Sequence, residues 1–165
     1  FSKELQKKFF GKDFIAGWQN KPGKVTIMLI GLAPSLKGKT INRKPFCNSP
    51  SDKLLWAILR DSGFLNETFY ITNLIKYPLL NNREPNDFEL NENKFLLEEE
   101  ILKHNPKIVI CLGKHAIKLF NLKIYERKVD ALGIIFVGIN HPGYYIRKPN
   151  KVKDVVTFIK TVSLA

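Results

Sequence analysis

The chain has 165 residues, 44% hydrophobic and 25% charged, which fits one globular domain with a sizeable core and excludes a disordered segment. Its 27 Lys+Arg against 15 Asp+Glu leave a net charge of +12; this favours a polyanionic partner, although a lysine-rich solvated surface is the plainer reading. Only two cysteines occur, Cys47 and Cys111, neither in a CxxC pair, so a disulfide scaffold or structural zinc site is disfavoured.

Residues 1–165 read as a single domain, because no repeat, low-complexity linker or composition break divides them. Residues 1–20 form a basic, aromatic lead-in, with a helix expected over Lys3–Phe10. Val25–Ile30 is a first strand, apolar apart from Thr26, as a parallel strand buried on both faces should be. Ser51 is the expected N-cap of a helix reaching Ser62, with Leu54, Leu55, Ile58 and Leu59 on one face and Gly63 at the stop. Phe69–Thr72 is a second strand, followed by a polar loop over Asn73–Asp87. A helix is expected from Asn91 to His104, ended by Asn105-Pro106, then a third strand over Ile108–Leu112. Gly113 turns into a helix reaching Phe120, Ile134–Ile139 is the fourth strand, and Val152–Val162 closes the chain as a helix. This alternation predicts an α/β fold: a three-layer α/β/α sandwich around a central four-stranded parallel sheet.

In such a sheet, ligands bind outside the carboxyl ends of the strands, and the unusual loops of this chain fall there. Gly31-Leu32-Ala33-Pro34-Ser35 offers close backbone approach and exposed N–H groups, or is an ordinary strand-to-helix turn. It has neither a dinucleotide fingerprint nor a phosphate-binding GK[ST], which disfavours nucleotide hydrolysis. Phe46, behind Pro45 and beside Arg43 and Lys44, could stack a base or serve as core under a long loop. Asn73 presents a donor and an acceptor suited to a pyrimidine edge, or caps a turn. His141, held by Pro142 after a buried strand, is placed to donate a hydrogen bond where an anion develops, or is a satisfied structural histidine. Tyr144, Tyr145, Ile146, Arg147 and Lys148 mix bulky and basic groups able to wedge into a base stack and pair with phosphates. His104 and His115 carry weaker signals, one at a helix end and one at a helix start.

Taken in order, these segments resemble the uracil-DNA glycosylase superfamily, across roughly Val25 to Pro149. GLAPS, RKPF and DSGF are similar to family 5 segments, ITNLIKYPLLNNREP and PKIVICLGKHAIKL to segments shared by families 4 and 5, and His141-Pro142-Gly143-Tyr144 to a family 4 segment. The resemblance implies a monofunctional DNA-repair glycosylase that flips uracil, or another deaminated base, out of DNA and hydrolyses its N-glycosidic bond, leaving an abasic site. It implies that Gly31, Leu32, Ala33 and Pro34 line the base pocket, Phe46 stacks on the base, and Asn73 reads its edge. His141 would hydrogen-bond the leaving base, while Arg43, Lys44, Tyr144, Tyr145, Arg147 and Lys148 would hold the DNA.

Two departures stand out. Families 4 and 5 carry a four-cysteine iron–sulfur cluster, but their Lys-Cys position is Lys76-Tyr77 here and two cysteines cannot supply four ligands, so no cofactor and no metal are expected. The acidic residues of those families stand here as Leu32 and Ser49, which leaves Asn42, Asn48, Asp52 or Asn140 to position the attacking water, with Asn42 favoured. A catalytically inactive module that binds DNA or a partner is a competing reading, and an unrelated nucleotide- or RNA-binding α/β domain a third. No apolar run approaches the roughly 18 residues that span a membrane, and nothing resembles a signal peptide. A cytoplasmic monomer is expected, nucleoid-associated in a prokaryote.

Overall fold

A computed structural model of the protein describes residues 14–34 and 49–162. The expected helix over Lys3–Phe10 and the candidates Asn42, Arg43, Lys44, Phe46, Cys47 and Asn48 lie outside the described residues. Among the described residues six strands form one sheet: β1 (Trp18–Gln19), β2 (Ile27–Gly31), β3 (Phe69–Asn73), β4 (Ile108–Leu112), β5 (Arg127–Val129) and β6 (Ile135–Ile139). Their order is β1-β3-β2-β4-β6-β5. The four apolar strands run parallel, β3 and β4 flanking β2, and β6 beyond β4. β1 and β5 are antiparallel additions to the two edges, so the sheet is six-stranded and mixed rather than four-stranded and parallel. Both were missed for a physical reason: β1 has two residues, and β5 is three exposed residues including Arg127 and Lys128, with no apolar period to read. Short, charged edges of this kind also discourage pairing with a second chain.

Alternating side chains divide the core between the two faces. Ile27 and Leu29 of β2 pack against Leu55, Ile58 and Leu59 of α1 (Pro50–Asp61) and Val155 and Ile159 of α5 (Val152–Lys160). Met28 and Ile30 pack against Leu97 and Ile101 of α2 (Asp87–His104) and Ala116 and Ile117 of α3 (Lys114–Leu119). Helices on both faces make three layers. Each fully buried aliphatic side chain contributes about 1.5–3 kcal/mol, so the sheet is a rigid base for the loops at its edge.

Several element ends differ from expectation. The N-cap of α1 is Ser49, not Ser51: its side chain accepts from the Asp52 amide at 3.2 Å, Asp52 accepts from the Ser49 amide at 3.0 Å, and Pro50 takes the first helical position. α2 begins four residues before Asn91, because Asn86 and Glu89 form a second capping box at 2.8 and 3.1 Å. Asn105 ends α2 in a left-handed conformation with φ 42°, which asparagine tolerates. The stretch after His141, expected as a loop, is the short helix α4 (Pro142–Arg147), started by Pro142 at its first position.

Gly138 in β6 shows how tight this base is. A Cβ there would lie 2.8 Å from the Lys123 carbonyl oxygen and 3.1 Å from Ile117 Cγ1. Gly138→Ala is expected to destabilise the fold by about 1–3 kcal/mol, read as a lower urea midpoint at unchanged slope. An unchanged midpoint would show that the Lys123 turn yields freely.

Candidate active site

The parallel strands finish together. Gly31 of β2 is in register with Asn73 of β3, and Leu112 of β4 with Ile139 of β6. The chain beyond β3 is tied to the chain beyond β2, since the Leu74 amide donates to the Gly31 carbonyl at 2.9 Å and the Ile75 amide to the Leu32 carbonyl at 2.8 Å. On the other side, the Gly113 amide donates to the Ile139 carbonyl at 2.9 Å. Gly113 adopts φ 92°, open chiefly to glycine, and an added Cβ would come 3.4 Å from His141 Cβ. The loops after β2, β4 and β6 therefore close around one cleft of about 330 Å³, with Leu32, Gly113, Asn140 and His141 in its wall.

His141 is the best-defined group there. It is the N-cap of α4, and its Nδ1 accepts a hydrogen bond from the Gly143 amide at 3.0 Å. An acceptor nitrogen carries no proton, so the ring is neutral and its one N–H is at Nε2, available as a donor on the cleft. The ring edge is open, but protein on its other sides penalises the imidazolium and holds its pKa below the ordinary 6.5. Arg147 pushes the same way, and Asp52 opposes both. Gly143 permits the arrangement, since a Cβ there would lie 3.3 Å from His141 Nδ1.

The remaining expected residues divide by position. Leu32, Asn140, His141, Tyr144 and Arg147 share the cleft. Gly31 and Pro34 are buried beside it and Ala33 is half-buried. Asn73, 3% exposed, ends β3 next to Gly31. Lys148, exposed just past α4, has its ammonium 5.9 Å from the centroid of the Tyr144 ring. Tyr145 departs from its expected place against DNA. It is 1% exposed, packed in the core, with its hydroxyl 2.9 Å from that of Tyr125 and also bonded to Asn140. As a helix, α4 sends successive residues in different directions, so the bulky stretch cannot present all its side chains to one partner. Asp52, a candidate for holding water, has its carboxylate committed to the α1 cap and buried.

Two groups escaped the sequence reading. Glu84 reaches the cleft from the loop after β3, where it pairs with His115 and lies 3.3 Å from Lys114. These partners hold its carboxyl below the usual range, His115 having the larger effect. Lys114 and His115, just after Gly113, line the same cleft, but nothing local to Glu84 signals its place there. The second group is a buried ion pair behind β3, Lys76 with Glu100.

The residues present do not fit an iron–sulfur cluster. Cys111 points into the α2–α3 side of the core, where burial raises its thiol pKa well above the ordinary range. Tyr77 stands at the cysteine position of the resemblance, and among the described residues no group of three or more His, Cys, Asp or Glu could hold a metal. No helix of the described residues is long and apolar enough to cross a membrane.

Comparison with known proteins agrees with this geometry. The chain is 27% identical over 164 residues to a type-4 uracil-DNA glycosylase of Archaeoglobus fulgidus, covering 91% of this chain and 80% of that protein. It is 32% identical over 140 residues to one from Saccharolobus solfataricus, covering 83% of this chain but only 63% of that protein. A third, from Thermotoga maritima, is 30% identical over 139 residues, covering 79% and 71%. The profile of the Uracil DNA glycosylase superfamily matches residues 19–162. With the matched span running from β1 through α5 and the strand-end loops gathered on one cleft, the chain belongs to the uracil-DNA glycosylase superfamily.

Proposed function

We propose that this protein is a DNA-repair glycosylase that hydrolyses the bond joining uracil to deoxyribose and leaves an abasic site. The observation that carries the reading is the neutral His141, its Nδ1 fixed by Gly143 and its Nε2–H free on a cleft bounded by the loops after β2, β4 and β6. As the C1′–N1 bond breaks, its electron pair stays with the base and negative charge spreads to the base oxygen. The sugar becomes cationic, water adds at C1′, and the water's proton leaves to solvent. A donor already aimed at the developing anion lowers this barrier without reorganising.

The other roles follow from position. Leu32 and its neighbours wall the base pocket, and Asn73 supplies the donor–acceptor pair for the uracil edge. Asn140, tethered to Tyr145, orients the attacking water; the sequence also offers Asn42 for that role, outside the described residues. Arg147, Lys148 and Tyr144 meet the DNA backbone, supported by the net charge of +12. The hydrolysis needs no covalent enzyme intermediate, which supports a monofunctional enzyme. Labelled oligonucleotides with one uracil, hypoxanthine or xanthine test this: strand breakage at uracil only after alkali is expected. Breakage without alkali would show a lyase step, and breakage only at a purine lesion would assign another substrate.

His141 also sets the expected pH response. Its folded pKa lies below the ordinary 6.5, so the native state takes up its proton less readily than the unfolded chain. Stability from this group is complete above that ordinary value and falls as pH drops through the depressed one. Protonation would also break the Gly143 bond. The single-turnover rate should be flat above neutrality and decline on the acid side; a rate that rises on acidification would make the imidazolium the active form.

A further inference from the structure

Lys76 is 1% exposed, on the loop just after β3. Its ammonium donates to Thr72 Oγ1 at 2.5 Å, to the Asn73 carbonyl oxygen at 2.6 Å and to the Glu100 carboxylate. Its three protons thus have three acceptors, two of them on the last two residues of β3. The second oxygen of Glu100 accepts from the Tyr70 hydroxyl at 2.5 Å. The main chain of Lys76 is gripped as well: its amide donates to Asn93 Oδ1 at 3.1 Å, and its carbonyl accepts from the Ile15 amide at 2.6 Å. Asn93, itself fully buried on α2, donates to the Glu89 carbonyl at 2.8 Å and reaches the Tyr77 hydroxyl at 3.4 Å.

A buried ion pair is a poor source of stability, since well-packed apolar side chains often do as well or better; in some proteins its use is to specify one geometry. Here that geometry concerns Asn73. Tyr70 packs on the α2 face, so strand alternation places Thr72 there and sends the Asn73 side chain to the opposite face. Lys76 therefore holds Asn73 by its backbone carbonyl, at the strand end from which the carboxamide projects. We propose that Lys76 and Glu100 are positioning residues that fix the end of β3 by charge and hydrogen bonds and so preset the Asn73 carboxamide. The proposal rests on the glycosylase reading above.

The test is a double-mutant cycle on single-turnover uracil release, made in the wild-type and Asn73→Ala backgrounds. Lys76→Met with Glu100→Gln removes the pair without stranding a buried charge. It is expected to slow release about 10–100-fold in the wild-type background and less than about threefold in the Asn73→Ala background. DNA affinity should be unchanged in both. Equal losses in the two backgrounds, or no loss in either, would overturn the proposal, because a merely structural pair cannot depend on one carboxamide. If the double variant does not fold, Thr72→Val removes one acceptor and leaves the charges intact. Its loss, expected to be severalfold, should vanish in the Asn73→Ala background by the same logic, and persistence would overturn the proposal. A wild-type protein that releases no uracil would instead overturn the underlying reading, and the proposal with it.

Discussion

Replacing His141 by alanine is expected to slow uracil release about 10²–10³-fold, the usual cost of removing one preorganised donor to a developing anion. DNA affinity should stay within about twofold, because a neutral ring neutralises no phosphate. The structure makes the variant a clean one. His141 is at the open end of β6, outside both core clusters, and its ring caps α4 through Nδ1. Losing a cap costs about 0.5–2 kcal/mol, enough to lower the melting temperature by a few degrees but not to unfold a domain whose sheet is this deeply buried. His141→Asn separates the two roles, since asparagine is also a good N-cap. It should restore stability while leaving release slow. Equal losses of release and affinity in the alanine variant would remove His141 from the chemistry.

Asn73→Ala is expected to carry the second large effect, about 10–10³-fold on release of uracil with far less effect on hypoxanthine or xanthine. A site built to hydrogen-bond a particular edge loses that much when its partner is removed. The carboxamide is buried at the end of β3, in register with Gly31, so nothing fills the space and the unmatched uracil oxygen and N–H would be left unpaired. Asn73→Asp is the sharper variant: a carboxylate cannot donate, and it would sit in the same pocket as a base becoming negative. The check is the ratio of single-turnover rates across the three lesions. A profile that keeps its proportions would reduce Asn73 to a residue that ends a strand.

The apolar strands were legible because burial on both faces leaves an unbroken hydrophobic run. Ile108–Leu112 was read to the residue, and Ile27–Gly31 and Ile135–Ile139 to within two. From those runs followed the common sheet edge, and with it the gathering of Leu32 and His141 on one cleft. What escaped was what no local period encodes. β5 is exposed throughout and pairs only because β6 offers it an edge. The start of α2 was visible in Asn86 and Glu89, whose three-residue spacing outweighs the exposed Phe88 between them. Tyr145 reads as a wedge in a basic stretch until the helical turn of α4 carries it into the core. Lys76 and Glu100, like Glu84 and His115, stand 24 and 31 residues apart in sequence, and only the fold brings such charges together.

The central claim is that this cleft breaks a glycosidic bond, and the most direct test is the product itself. Purified protein should be incubated with excess uracil-containing duplex, the free base measured by mass spectrometry and the abasic sites counted in the same sample. The account predicts free uracil and abasic sites in equal amounts over many turnovers, with release by His141→Ala about 10²–10³-fold slower in the same assay. Tight, salt-sensitive DNA binding with no free base would contradict it and leave a glycosylase fold that only binds.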